Sequence, residues 1–359
     1  MREFDYNDEM DDDLDSDEPT YSVDDALAAL PIDPHKLVPP EVVYGLSDLD
    51  PDDLERVRVV WQKLPDEQRI IIMERLVETT QADLLVDYTV FASLSYNDPV
   101  PDVRLNALEA GRDDDSYEVM QIIMNMAKRD PAVQVRAGAM MRLMDFIEMG
   151  ELEEDYHDFT IQAEELALAI LNDPNEPVEV RRYALEAIAQ SSRTEVPPLI
   201  ETAYEHDDLR MRISAVTAMG YTCDDVWEPI VLEELGNTNQ EMRREAIRAA
   251  GMIAIEDAVS PLSRFVKDPN EDIQEVAIWA LGEIGGDEAI EILERLALQA
   301  EEDEDWMVVE WVEDALAMAY AMMSADYELG LMDYDPEDDE LLDDDDLDDD
   351  DLPPYSRYH

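Results

Sequence analysis

The chain of 359 residues is 46% hydrophobic, enough to bury a substantial core, and carries 93 acidic against 25 basic residues for a formal charge of -68. That balance disfavours direct DNA or RNA binding, which needs a basic face to neutralise phosphates. A lone Cys223 excludes an internal disulfide and a Cys-based zinc site, and no run approaches the roughly 20 apolar residues of a membrane span.

Residues 1–25 hold 12 acids against Arg2 and are expected to form a disordered tail, since like charges extend a chain with little apolar surface to bury. This start has neither a basic stretch nor an apolar run, so a cytoplasmic protein is expected. An N-terminal helical capping region is predicted over 26–97. Within it Asp52–Lys63, Asp66–Thr80 and Leu84–Leu94 carry apolar residues at helical spacing, and Pro51 and Pro65 stand where a first turn tolerates proline.

From Asp98 onward a phrase returns: an aliphatic or Met residue, usually Arg next, then small residues four and seven positions on. It reads Val103-Arg104 with Ala107 and Ala110, Val135-Arg136 with Ala139, and Val180-Arg181 with Ala184 and Ala187. Met211-Arg212 with Ala215 and Ala218, Met242-Arg243 with Ala246 and Ala249, and Ile273-Gln274 with Ala277 and Ala280 complete it. Counted between the Arg positions and Gln274, the intervals are 32, 45, 31, 31 and 31 residues. A period of this size marks stacked repeats rather than one globular core.

Small residues four and seven positions on share a helical face with the leading aliphatic residue, so a neighbouring helix can approach closely. Turn signals precede most phrases: Asp98-Pro99, Asp130-Pro131, Asp173-Pro174, Asp207-Asp208, Asn237-Thr238 and Asp268-Pro269. Upstream of these lie amphipathic stretches at Tyr117–Lys128, Ile161–Leu171, Val196–Tyr204, Val226–Leu235 and Ala258–Val266. Two helices per period result. The 45-residue interval contains Met144 to Asp158, which predicts an extended inner helix and a longer link.

This pattern resembles the HEAT repeat, and most closely its short bacterial subtype named after phycobilisome lyases. Asp268-Pro269, Ile273, Ala277 and Trp279-Ala280-Leu281-Gly282-Glu283-Ile284-Gly285 carry the likeness, with a looser closing copy at Val308, Val312, Ala315 and Leu316. The resemblance implies an all-α fold, a right-handed α-α superhelical solenoid, with an array over 98–325. It also implies a ladder of turn Asp and following Arg contacts, which Gln274 and Val309 should interrupt. Residues 326–359 are read as a second acidic disordered tail, with 14 acids and no base between 333 and 352.

Catalytic chemistry has no visible residues. None of His35, His157, His206 and His359 is followed by Glu, so the His-Glu metal pairs of the similar deoxyhypusine hydroxylases are missing. His157-Asp158 and His206-Asp207 read as surface-loop histidines, because a metal shell would need more ligands. Asp11 to Asp17 alternates like a calcium loop, yet Ser16 and Ser22 stand where an EF-hand needs Gly and Glu. No phosphate-binding glycine loop, nucleophile elbow or zinc-protease helix occurs. No cofactor or metal is therefore expected, and a non-enzymatic role is.

In two-helix repeats the second helices line the concave side. Their solvent positions, counted from the leading aliphatic residue, are Arg182, Tyr183, Glu186, Gln190, Thr217, Tyr221, Arg244, Arg248, Glu275, Trp279 and Glu283. Tyr, Trp and Arg often carry interface energy, so a concave ridge that binds a protein partner is expected. Trp279 and Tyr183 could equally cover the small-residue seams of their own stack. The expected function is a protein-interaction scaffold or adaptor, its partner basic if the acidic field serves recognition rather than solubility. Two alternatives stay open: a carrier of a small ligand or pigment, which the likeness to bilin lyases implies, and an acidic chaperone for a basic protein.

Overall fold

The computed structural model describes residues 21–83 and 85–328, apart from the side chains of 154–159 and 324–328. Among these residues every regular element is helical, and stacked helical hairpins make an all-α solenoid. The chain divides into two compact units, one ending at Ser214 and the other beginning at Ala215.

The first unit opens with α1 (Val23–Ala29), α2 (Pro40–Gly45), α3 (Pro51–Trp61), α4 (Asp66–Ala82) and α5 (Thr89–Ala92). α1 begins inside the stretch read as tail, because Ser22 and Asp25 form a reciprocal cap. The Ser22 hydroxyl accepts the Asp25 N–H, and the Asp25 carboxylate accepts the Ser22 N–H at 2.9 Å. Tyr21 stacks on Tyr44 with ring centroids 6.1 Å apart.

The helix predicted over Leu84–Leu94 shrinks to α5. Asp87 explains this, since its carboxylate accepts both the N–H and the hydroxyl of Thr89. Its backbone is tied to the loop after α2, donating to Ser47 Oγ and accepting the Asp48 N–H, each at 2.9 Å. Backbone groups used in this way cannot serve a helix.

The unit continues through α6 (Pro101–Ala110), α7 (Tyr117–Arg129), α8 (Val133–Leu152), α9 (Glu154–Leu171), α10 (Val178–Ile188) and α11 (Val196–Tyr204); α12 (Leu209–Tyr221) contains the division. The 45-residue interval lengthens helices instead of a link. α8 has 20 residues and α9 has 18, with only Glu153 between them, so the expected link is largely absent. The pair closes at Gly150, where a Cβ would stand 2.7 Å from Thr160 Cβ.

Polar rungs fasten the hairpins. Arg104 donates to the Asp98 carbonyl before its own helix at 2.7 Å and grips the Asp130 carboxylate of the following turn at 2.6 and 2.7 Å. Arg136 repeats this with the Asp130 carbonyl and Glu176, both at 2.7 Å. On α4, Arg69 does the same with the Leu64 carbonyl and the Asp98 carboxylate, so the ladder begins within the region read as a cap. Arg181, Arg212, Arg243 and Gln274 keep the contact to a preceding carbonyl, on Leu171, His206, Asn237 and Val266. The last phrase arginine with a carboxylate rung among the described residues is Arg136. That break comes earlier than the one expected at Gln274.

The second unit holds α13 (Glu228–Glu234), α14 (Gln240–Met252), α15 (Val259–Leu262), α16 (Glu271–Ile284), α17 (Gly286–Asp303) and α18 (Trp306–Glu328). The helix predicted over Ala258–Val266 is reduced to α15 between two 3-10 turns. Pro261 lies within it and has no N–H to bond back to Asp257. α16 packs between α14 and α18 along small-residue seams. A Cβ at Gly251 would stand 2.9 Å from Ala280 Cα, and one at Gly282 2.8 Å from Ala315 Cα, so only glycine permits these approaches. No helix among the described residues is long and apolar enough to cross a membrane.

Candidate functional site

The outward residues behave differently in the two units. In the first, Arg182 folds back over the ring of Tyr183, its guanidinium carbon 3.8 Å from the centroid, and donates to the Tyr183 hydroxyl. It also pairs with Glu179 at 2.9 Å and Glu186 at 3.6 Å. Glu186 in turn accepts from the buried Ser214 hydroxyl. Burial pushes the Tyr183 hydroxyl above its ordinary range. These side chains are engaged with one another on the stack, although the buried Arg182 Nε finds no acceptor among the described residues, and Gln190 beside them is half-buried.

In the second unit the expectation for Thr217 is corrected. It is 8% exposed, and its hydroxyl donates to Glu245, itself buried, at 3.3 Å. A short side chain at that offset lies beneath the longer ones of the next helix. Glu245 also accepts from Arg244 at 2.7 and 3.0 Å and lies 3.7 Å from Arg248. One buried carboxylate thus positions two cations on the surface of α14. Tyr221 is half-buried.

Trp279 on α16 is the centre of the face. Its ring edge covers the Gly251 seam, with Cζ3 2.9 Å from where a Cβ would stand, and the Arg248 guanidinium lies 6.0 Å from its centroid. On one side of the ring is a groove of about 280 Å³ lined by Arg244, Arg248, Asp272 and Glu275. On the other is a groove of about 230 Å³ between α16 and α18, walled by Trp279, Trp311, Ala315 and Met318 and edged by Glu275, Glu283 and Asp314. None of those three carboxylates forms an ion pair among the described residues.

Sequence reasoning missed Trp311, Asp314 and Met318. The signal was present, because counting three, six and ten positions from Val308 lands on them, as six and ten from Ile273 land on Trp279 and Glu283. The closing copy reads in register from Val308, but the count of outward positions stops one repeat short, at Glu283.

Other sequence candidates are structural or fall outside the description. His206 Nδ1 accepts the Asp208 N–H at 3.0 Å, and hydrogen bonding from Arg210 brings the Asp208 carboxyl down to about 2. The side chains of His157 and Asp158, the Asp11–Asp17 stretch and the acidic run 333–352 lie outside the described residues. Among the described residues no group of three or more His, Cys, Asp or Glu side chains could hold a metal ion.

Residues 228–317 match the family of HEAT repeats. The chain is similar in fold to the Escherichia coli protein YibA, at 18% identity over 79% of this chain and 98% of that one, with a TM-score of 0.41. The complex of CpcE and CpcF of phycocyanin lyase from Nostoc sp. PCC7120 is 19% identical over 69% of this chain and 93% of that one, with a TM-score of 0.49. Human deoxyhypusine hydroxylase in complex with glycerol is 15% identical over 75% and 96%, with a TM-score of 0.33. No curated protein matches the chain.

Proposed function

We propose that this chain, a HEAT-repeat protein, is a non-enzymatic interaction scaffold that holds a basic protein partner on the second-helix face of its second unit. The observation that carries this reading is the setting of Trp279. A large aromatic side chain stands half-exposed between two grooves, with the Arg248 guanidinium 6.0 Å from its centroid on one side and Trp311 and Met318 facing it on the other. Tryptophan and arginine held by their own scaffold lose little entropy on binding, which is why such residues dominate interface energy. The carboxylates beside the grooves have no ion-pair partner among the described residues, and the field of a chain with charge -68 draws cations toward them.

The face of the first unit is a weaker candidate, because Arg182, Tyr183 and Glu186 are already engaged with one another. The test is capture from the native cell by the full-length chain and by its Trp279→Ala variant, followed by affinity measurement on the captured protein. A basic partner held by the first and released by the second, at unchanged helical content, supports the proposal. Equal retention by both chains would refute it.

A further inference from the structure

We infer that the groove between α16 and α18 is a receptor for one arginine side chain of the partner, inserted between Trp279 and Trp311. This rests on the scaffold reading above and names what its face holds. The groove is small: about 230 Å³ lies below the roughly 300–1,000 Å³ usual for a drug-sized ligand and suits one long side chain. Its walls are apolar, formed by the two indoles with Ala315 and Met318, while its charge lies at the edge in Glu275, Glu283 and Asp314. A guest with an apolar stem and a cationic head fits that division.

Among the described residues, the cations of the second unit are engaged elsewhere. Arg243 and Arg264 donate to backbone carbonyls of Asn237 and Leu235, and Lys267 bonds Gln299. Arg244 and Arg248 rest on Glu245, and Arg295 donates to the Glu291 carbonyl. The edge carboxylates are therefore available to a cation from another molecule. Arginine suits the groove better than lysine: its planar guanidinium stacks on indole, is weakly hydrated, and presents five donors in one plane toward carboxylates on two sides. Trp279 already has one guanidinium near its ring, that of Arg248.

The experiment uses the full-length chain labelled with 5-fluorotryptophan, whose five indoles (Trp61, Trp227, Trp279, Trp306 and Trp311) are assigned by single Trp→Phe variants in 19F spectra. The probes are the N-acetyl amides of arginine, lysine and citrulline, the last an uncharged isostere of arginine. Arginine should shift Trp279 and Trp311 saturably, with a dissociation constant on the order of millimolar, and citrulline should bind at least about tenfold more weakly. Lysine should fall between. Glu275→Gln with Asp314→Asn, both exposed positions, should weaken arginine binding about fivefold without moving the melting temperature.

Citrulline binding as well as arginine would overturn the receptor, as would equal shifts at the buried Trp61 and Trp227, which do not line the groove. Shifts of Trp279 and Trp311 on Arg357→Ala substitution, without any probe, would assign the groove to the chain's own C-terminal segment instead. Failure of the receptor is separable from failure of the scaffold. If Trp279→Ala releases the captured partner while citrulline and arginine bind alike, the scaffold stands and the receptor falls. If arginine binds selectively while the partner ignores Trp279→Ala, the scaffold reading falls.

Discussion

Arg69 grips Asp98 with two hydrogen bonds, from Nε at 2.8 Å and Nη2 at 3.1 Å, and both side chains are almost wholly buried. The pair ties α4 to the turn before α6, and Asp98 also accepts the Val100 N–H at 2.9 Å to shape that turn. Removing one partner strands a buried charge, so Arg69→Met should cost about 3–5 kcal/mol of unfolding free energy. The Arg69→Met, Asp98→Asn double variant should recover part of that loss, because no charge is left unpaired. Urea midpoints of the two variants check this, and a single-variant loss below about 1 kcal/mol would mean the pair behaves like a surface one.

Gly251→Ala and Gly282→Ala should each destabilise by about 1–3 kcal/mol, since the new Cβ meets the backbone of the adjacent helix and cannot be relieved by a side-chain rotation. Gly236 provides the control, because the nearest atom to its Cβ position is 3.4 Å away. Gly236→Ala should be neutral or stabilising by up to about 1 kcal/mol. Equal effects at all three positions in thermal melts would show that the seams are looser than described.

Trp279→Ala should weaken partner binding by on the order of 2 kcal/mol. It should also lower stability, by about 1–2 kcal/mol for a half-buried ring that covers the Gly251 seam. Tyr183→Ala should lower stability with affinity unchanged, since its ring is occupied by Arg182 of the same helix. Denaturant midpoint and dissociation constant measured on one preparation separate the two outcomes. Equal loss of affinity in both variants would return the first-unit residues to the binding face.

Burial pushes the Tyr96 hydroxyl up from 10.0 to about 12, and it has no hydrogen-bond partner among the described residues. Its folded value exceeds the unfolded one, so the stability it contributes is complete below pH of about 10 and is lost as the pH rises through about 12. Tyr96→Phe should therefore reduce the alkaline loss. At pH 7 it should be neutral or stabilising by about 1 kcal/mol, because it removes an unsatisfied buried polar atom. Melting curves of both chains that fall in parallel between neutral and strongly alkaline pH would contradict this.

Chains begun at Tyr21 and at Ala26 should differ in stability by about 1–2 kcal/mol, the cost of losing the Ser22 cap together with the Tyr21–Tyr44 stack. Identical melting of the two would show that α1 contributes nothing to the first unit.

The helical hairpins and their seams were legible in the sequence because both depend on short-range spacing. An aliphatic residue followed by small ones four and seven positions on defines a helix face regardless of what covers it, and Asp-Pro turns mark where each face begins. The same offsets located Trp279, Glu275 and Glu283, and would have located Trp311 and Met318 had the series been continued from Val308. Local spacing failed where a segment's backbone bonds went to a distant loop, as at Asp87, and where extra residues could enter either a link or two longer helices, as between Arg136 and Arg181.

Tertiary structure alone decided which outward positions stay open. Offset from the leading aliphatic residue says only that a side chain leaves the core stripe; its exposure depends on the side chains of the next repeat, some thirty residues away. Thr217 is short and lies under Glu245, so it is buried. Arg182 finds Tyr183 and two carboxylates within reach and turns inward. Trp279 is too large for the seam that Gly251 leaves, so part of its ring remains beside a groove whose opposite wall is supplied by Trp311 and Met318.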